Sequence, residues 1–126
     1  MRFIIGGAFE GKELFCQEKY GVLPEEIIDC AELKPDGFRQ LKCVRNFHLF
    51  IKNQCKTIHD LEVILSTIIA ENPGIIIIMD EVGCGIVPVE RSEREWRELV
   101  GRAGCFLASR AESVDRVICG CGVKLK

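Results

Sequence analysis

The stretch FIIGGAFEGKELF, residues 3–15, decides the fold. A β-branched run, Phe3-Ile4-Ile5, enters a glycine turn. KELFCQEKY then follows with helical spacing, and Gly21 supplies a stop signal. Within the turn, Gly6, Gly11 and Lys12 stand in register with the phosphate-binding pattern G-x-x-x-x-G-K-[ST]. In that pattern the glycines let backbone N–H groups cradle phosphate oxygens. The helix N-terminus adds positive potential, and the lysine reaches the outer phosphates. The strand before and the helix after are both present. The last position, a hydroxyl residue that holds Mg²⁺ in the pattern, is Glu13. A plain strand–turn–helix connection is the alternative reading, since a first-turn glutamate suits the helix dipole in any case.

Charge is the difficulty. The loop carries Glu10, Lys12 and Glu13. Two unit charges 4 Å apart interact by about 4 kcal/mol at a surface-like dielectric. A carboxylate facing a triphosphate with no metal between them therefore costs several powers of ten in affinity. Either Glu13 itself ligates Mg²⁺, which favours carboxylate oxygens, or it turns into solvent and leaves Mg²⁺ to water and Asp29.

Outward from the loop, EIIDCAEL (26–33) reads as a second buried strand ending at Asp29. Lys34-Pro35-Asp36-Gly37 is a turn. In FRQLKCVRNFHLFIKNQ (38–54), Phe38, Leu41, Val44, Phe47, His48 and Ile51 fall at steps of three and four, which predicts an amphipathic helix. Thr57 or Asp60 caps the next helix, which Pro73-Gly74 ends. GIIIIMDE (74–81) is the strongest strand, apolar enough to be buried on both faces. A turn, VGCGIVP, follows it. A long helix is expected over 90–112, and strands in DRVICGC and GVKLK.

Strands alternating with helices predict an α/β fold with a largely parallel sheet. Ligands bind at the carboxyl ends of strands in such sheets. Gly6–Glu13, Asp29 and Asp80-Glu81 all fall at that edge. Asp29 stands where a Mg²⁺-ordering carboxylate belongs, or is a solvated strand end. Glu81 suits orienting a water or substrate hydroxyl, or accepts hydrogen bonds from the glycine turn. His48 lies in apolar helical spacing and His59 just before a helix start, so core and capping roles are expected for them.

The 126 residues suit one domain, residues 1–126. A net charge of −2 gives no basic field for nucleic acid or anionic lipid. The longest apolar run is far short of the ~20 residues a membrane span needs. The 8 cysteines include no C-x-x-C pair, which argues against a zinc site. MRFIIGG is too short an apolar run for a secretory leader. Reduced thiols acting as small hydrophobes in a cytoplasmic protein are the expectation.

The C-terminal segment DEVGCGIVPVERSEREWRELVGRAGCFLASRAESVDRVICGCGVKLK resembles the adenosylcobinamide kinase / adenosylcobinamide-phosphate guanylyltransferase family, enzymes of cobalamin biosynthesis. The family's pattern N-E-V-G-x-G-I-V-P is matched by Glu81, Val82, Gly83, Gly85, Ile86, Val87 and Pro88. Arg97, Gly101, Arg102, Val117, Gly120 and Lys124 match beyond it. GGAFEGKE resembles the family's G-G-A-R-S-G-K-S, and Asp29-Cys30 its strand ending in acid-Cys. The resemblance implies a P-loop NTPase-like, RecA-like three-layer fold with a mainly parallel sheet. It also implies a homo-oligomer and two activities: phosphorylation of a cobinamide hydroxyl by ATP or GTP, and guanylyl transfer through a histidine–GMP intermediate.

On that footing Gly6, Gly7, Ala8, Phe9, Glu10, Gly11, Lys12 and Glu13 form the nucleotide loop. Lys12 holds the outer phosphates, Glu81 orients the substrate hydroxyl, and Asp29 with Glu13 orders Mg²⁺. The departures are specific. Phe9, Glu10 and Glu13 replace the family's Arg and two Ser. Asp80 replaces Asn, and Gly104-Cys105 replace Asn-Gln. With Asp29-Cys30 aligned in this way, a strand and the segment bearing the guanylylated histidine are missing, so guanylyl transfer is expected to be lost. The rival class is a non-catalytic family member that binds a nucleotide, a cobinamide-type corrinoid or a partner subunit. A third is a structural relic that assembles with a functional relative.

Overall fold

The computed structural model describes residues 1–83 and 85–126. Among the described residues, five parallel strands and one antiparallel strand form a single sheet. They are β1 (Arg2–Gly6), β2 (Ile27–Asp29), β3 (Cys43–Arg45), β4 (Ile76–Asp80), β5 (Ser113–Ile118) and β6 (Cys121–Lys124), in the spatial order β2-β3-β4-β1-β5-β6. Only β6 is antiparallel. It returns from β5 through Cys119 (φ 50°) and Gly120 (φ 76°), the two left-handed residues a two-residue hairpin needs. Helices are α1 (Lys12–Tyr20), α2 (Phe47–Gln54), α3 (Ile58–Glu71) and α4 (Arg91–Arg110).

The isoleucine run of β4 builds two cores at once, because successive strand side chains point to opposite faces. Ile77 and Met79 join the larger core with α2, α3 and α4. Ile76 and Ile78 join the smaller one with Cys16 of α1 and Val117 of β5. The result is three layers: one helix, the sheet, three helices. This is the P-loop NTPase-like arrangement, with β1 central and the phosphate-loop motif at its carboxyl end.

Most predicted boundaries agree with the structure. Gly21 closes α1 in the left-handed conformation. Thr57 and Asp60 form a reciprocal capping box on α3. The expected helix 90–112 is α4.

Two expectations need correction. Residues 38–54 are not one helix. A 3₁₀ turn (Pro35–Phe38) is followed by β3, and only then by α2. The apolar spacing misleads because Phe38, Val44 and Phe47 reach the same core by different backbone routes. Phe38 packs edge-on against Phe47 and Phe50, with ring centroids 6.0 and 4.9 Å apart. The strand expected over 26–33 shrinks to β2, which lies at the sheet edge. Its residues are half-buried or exposed, because β3 is its sole strand neighbour. A strand therefore does follow Asp29-Cys30, although the connection between β2 and β3 carries no histidine.

Candidate phosphate site

β1 ends at Gly6, and α1 begins at Lys12 after Gly11, whose φ of 84° is left-handed. Phe9, also left-handed (φ 59°), stands fully exposed at the tip of the turn. Lys12 is only 7% exposed. Its Nζ donates to the Gly7 carbonyl and forms a 2.7 Å ion pair with Asp80 at the end of β4. Gly6 and Asp80 are register partners, and the Glu81 N–H donates to the Gly6 carbonyl at 2.9 Å. The β1–β4 register thus sets Asp80 beside the turn whose helix start carries Lys12.

His48 supports this pair from α2. Its Nδ1 accepts from the Asp80 N–H at 3.3 Å, and its Nε2 lies 3.7 Å from an Asp80 carboxylate oxygen. Burial holds the His48 imidazole below its ordinary pKa. Asp80 opposes that shift and Lys12 adds to it.

A cavity of about 550 Å³ opens at the loop, lined by residues 8–14, Arg45, Asn46, Ile78 and Asp80. Two of these residues, Arg45 and Asn46, are absent from the sequence reading. Both follow from the missed β3: Cys43-Val44 running into Arg45-Asn46 is a short strand ending in polar residues. Asn46 is left-handed (φ 59°), which turns the chain from β3 into α2.

The loop carboxylates have internal partners. Arg45 Nη1 lies 3.0 and 3.3 Å from the two oxygens of Glu13, and Arg45 Nη2 lies 3.7 Å from Asp29. Glu13 chiefly, and Asp29 to a lesser degree, push the guanidinium above its ordinary pKa. Asp29 also accepts from Asn46 Nδ2 (2.7 Å) and from the Ala31 N–H (3.0 Å), and it stands outside the cavity lining. Glu10 turns away: its carboxylate accepts from the Cys119 N–H and its carbonyl from the Gly120 N–H. Lys12 pairs with Asp80 rather than with Glu13.

Glu81 lies on the other flank. Its two oxygens take Nε (2.9 Å) and Nη2 (3.0 Å) of Arg116. It borders a second, apolar cavity of about 400 Å³ beside Gly101 and Gly104 of α4, and Asp80 lines both cavities. The structure therefore brings Gly6–Glu13 together with Asp80, Arg45 and Asn46, and sets Asp29 and Glu81 to either side.

His59 is exposed in the first turn of α3. Among the described residues, no three His, Cys, Asp or Glu side chains converge as a metal cluster. A Mg²⁺ between Glu13 and Asp29 would need the space that Arg45 fills, so these two carboxylates, as arranged, do not fit the metal. No helix among the described residues is long and apolar enough to cross a membrane.

The segment that follows Glu81 is held from α4. Arg97 donates to the carbonyls of Val82 (2.8 Å) and Ile86 (2.7 Å), and Arg94 to those of Pro88 and Val89. This leaves Ile86, Val87 and Val89 exposed.

Comparison with known proteins agrees with that segment. The sequence profile of the Cobinamide kinase / cobinamide phosphate guanyltransferase family matches residues 39–125, more than half of the chain. The "Bifunctional adenosylcobalamin biosynthesis protein CobU" of Salmonella typhimurium is 42% identical over 52 residues. That is 41% of this chain and 29% of the relative. The Escherichia coli protein of the same name matches with the same identity and coverage. The match thus spans under a third of the length of these curated relatives. The profile does not reach residues 6–13, so the loop stands on its own geometry and the family on the segment from β3 to β6. The chain belongs to the cobinamide kinase / cobinamide phosphate guanyltransferase family.

Proposed function

We propose that this chain is a nucleotide-binding protein of cobalamin biosynthesis. It takes ATP or GTP in the Gly6–Glu13 loop and transfers a phosphoryl group to a cobinamide-type hydroxyl. Guanylyl transfer is lost. The observation that carries the reading is the buried Lys12 ammonium, held between the Gly7 carbonyl and Asp80 at the mouth of a left-handed glycine loop.

Phosphoryl transfer asks the protein mainly for position and electrostatic stabilisation. Lys12, released from Asp80, meets the outer phosphates while the loop amides hold the inner ones. Asp80 borders both cavities, so a hydroxyl presented from the apolar one meets a carboxylate on the phosphate side. Glu81, fixed by Arg116, stands at that mouth and orients the acceptor.

The loss of guanylyl transfer rests on the histidines. A histidine nucleophile must offer a ring nitrogen to the phosphate. His48 is 7% exposed with Nδ1 engaged by backbone, and His59 lies on α3, outside the cavity lining.

Calorimetry with ATP and GTP tests the binding step. The wild type is expected to bind one of them, and Lys12→Ala to weaken it roughly 100-fold, about 2.7 kcal/mol. No binding at millimolar nucleotide would sink the reading. With labelled GTP, no covalent adduct is expected on the protein. A second reading, a non-catalytic binding member of the family, is favoured by the cavity's charge: its two cations, Lys12 and Arg45, each already have a carboxylate partner in Asp80 and Glu13. Binding without phosphate transfer to cobinamide would select it.

A further inference from the structure

Arg45 occupies the ground between the two carboxylates that a divalent cation would join. Its Nη1 contacts both oxygens of Glu13, and its Nη2 approaches Asp29. Its Nε is shielded from solvent and has no hydrogen-bond partner, so the stem is packed in place on β3 while the head lines the cavity. Glu13 itself stands where the loop pattern puts a metal-holding hydroxyl.

Mg²⁺ demands a near-octahedral shell of oxygens. Here the carboxylate oxygens at hand already accept from a cation that stays protonated at any working pH. A divalent ion would also meet the guanidinium's repulsion at contact range. The guanidinium itself is a planar fork of donors matched to phosphate oxygens.

We infer that the loop binds its nucleotide as the metal-free anion, with the Arg45 guanidinium standing in for Mg²⁺ between Glu13 and the phosphates. Arg45 neutralises Glu13, which removes the repulsion that otherwise makes GGAFEGKE a poor phosphate loop. Its remaining Nη hydrogens complete the cradle opposite Lys12. This rests on the loop being the nucleotide site, as proposed above.

The test is binding of ATP and of GTP to the purified chain in excess EDTA and in excess Mg²⁺, for wild type, Lys12→Ala, Arg45→Ala and Arg45→Lys. Circular dichroism confirms that each variant is folded. The expected result is wild-type binding at least as tight in EDTA as in Mg²⁺. Arg45→Ala is expected to lose about tenfold or more in EDTA. Arg45→Lys, which keeps the charge without the fork, should recover part of that loss.

Binding that requires Mg²⁺ and is abolished by Lys12→Ala would overturn the inference and leave the loop as the nucleotide site. Binding in EDTA that is unchanged in Arg45→Ala would also overturn it. No binding in either condition would overturn both readings. Should Arg45→Ala fail to fold, Arg45→Lys and the wild-type comparison of EDTA with Mg²⁺ decide alone.

Discussion

Asp80 joins three groups that lie far from it in sequence: Lys12 through its carboxylate, His48 through its N–H, and Gly6 by strand register. The His48 ring is the pH-sensitive member. Burial disfavours its charged form, so the unfolded chain takes up a proton that the folded chain refuses. Stability is therefore complete above the unfolded value of about 6.5 and falls as pH drops below it. A melting temperature that declines from about pH 6.5 downward is expected, and His48→Gln should flatten the upper part of that decline. An identical profile in the variant would show that the acid loss comes from carboxylates alone. Among the described residues, Cys16, Cys30, Cys43 and Cys55 are buried. Burial pushes the Cys30 thiol up to about 12 and Cys55 up to about 11, and Cys43 is raised by its contact with Cys16 and by burial. Cys105, Cys119 and Cys121 are exposed, and Cys84 lies outside the described residues.

The loop between β1 and α1 depends on a close approach. A Cβ on Gly6 would stand 2.4 Å from the Val117 carbonyl oxygen of β5, a backbone atom that cannot swing aside. Gly6→Ala is expected to cost about 2–3 kcal/mol, read by urea unfolding, and to weaken nucleotide binding as β1 is pushed off β5. A loss under about 0.5 kcal/mol would show that the sheet yields there. Element types were legible where a local device was strong. Gly21, the Thr57–Asp60 box and the isoleucines of β4 each specify one conformation. β3 was not legible, because three residues are too short to display a period of two, and the flanking aromatics fall at helical steps. The loss of β3 hid Arg45 and Asn46 with it.

Across the whole molecule, the single helix of the smaller layer is tied to the sheet by a buried carboxylate. Asp115 on β5, 1% exposed, takes Lys19 Nζ at 2.7 Å and the Tyr20 hydroxyl at 2.6 Å. Asp115→Ala leaves the Tyr20 hydroxyl with only its longer, 3.3 Å contact to Ser113 Oγ, while the partly exposed Lys19 regains water. A loss of about 2 kcal/mol is expected. Trp96 reports it: it is the sole tryptophan, and its indole N–H donates to the His48 carbonyl at 2.9 Å in the opposite layer. A shift confined to α1 would show that the two layers unfold separately. By itself the sequence determined the α/β class, the strand–glycine turn–helix setting of GGAFEGKE, and the family through Glu81–Pro88. Those readings depend on residues adjacent in the chain, where backbone geometry and hydrophobic period leave few options. Only the tertiary structure decided which charges face which. Pairing Lys12 with Asp80, Glu13 with Arg45 and Glu81 with Arg116 needs three strands and a helix brought to one sheet edge, and ion pairs carry no periodicity along the chain that announces them.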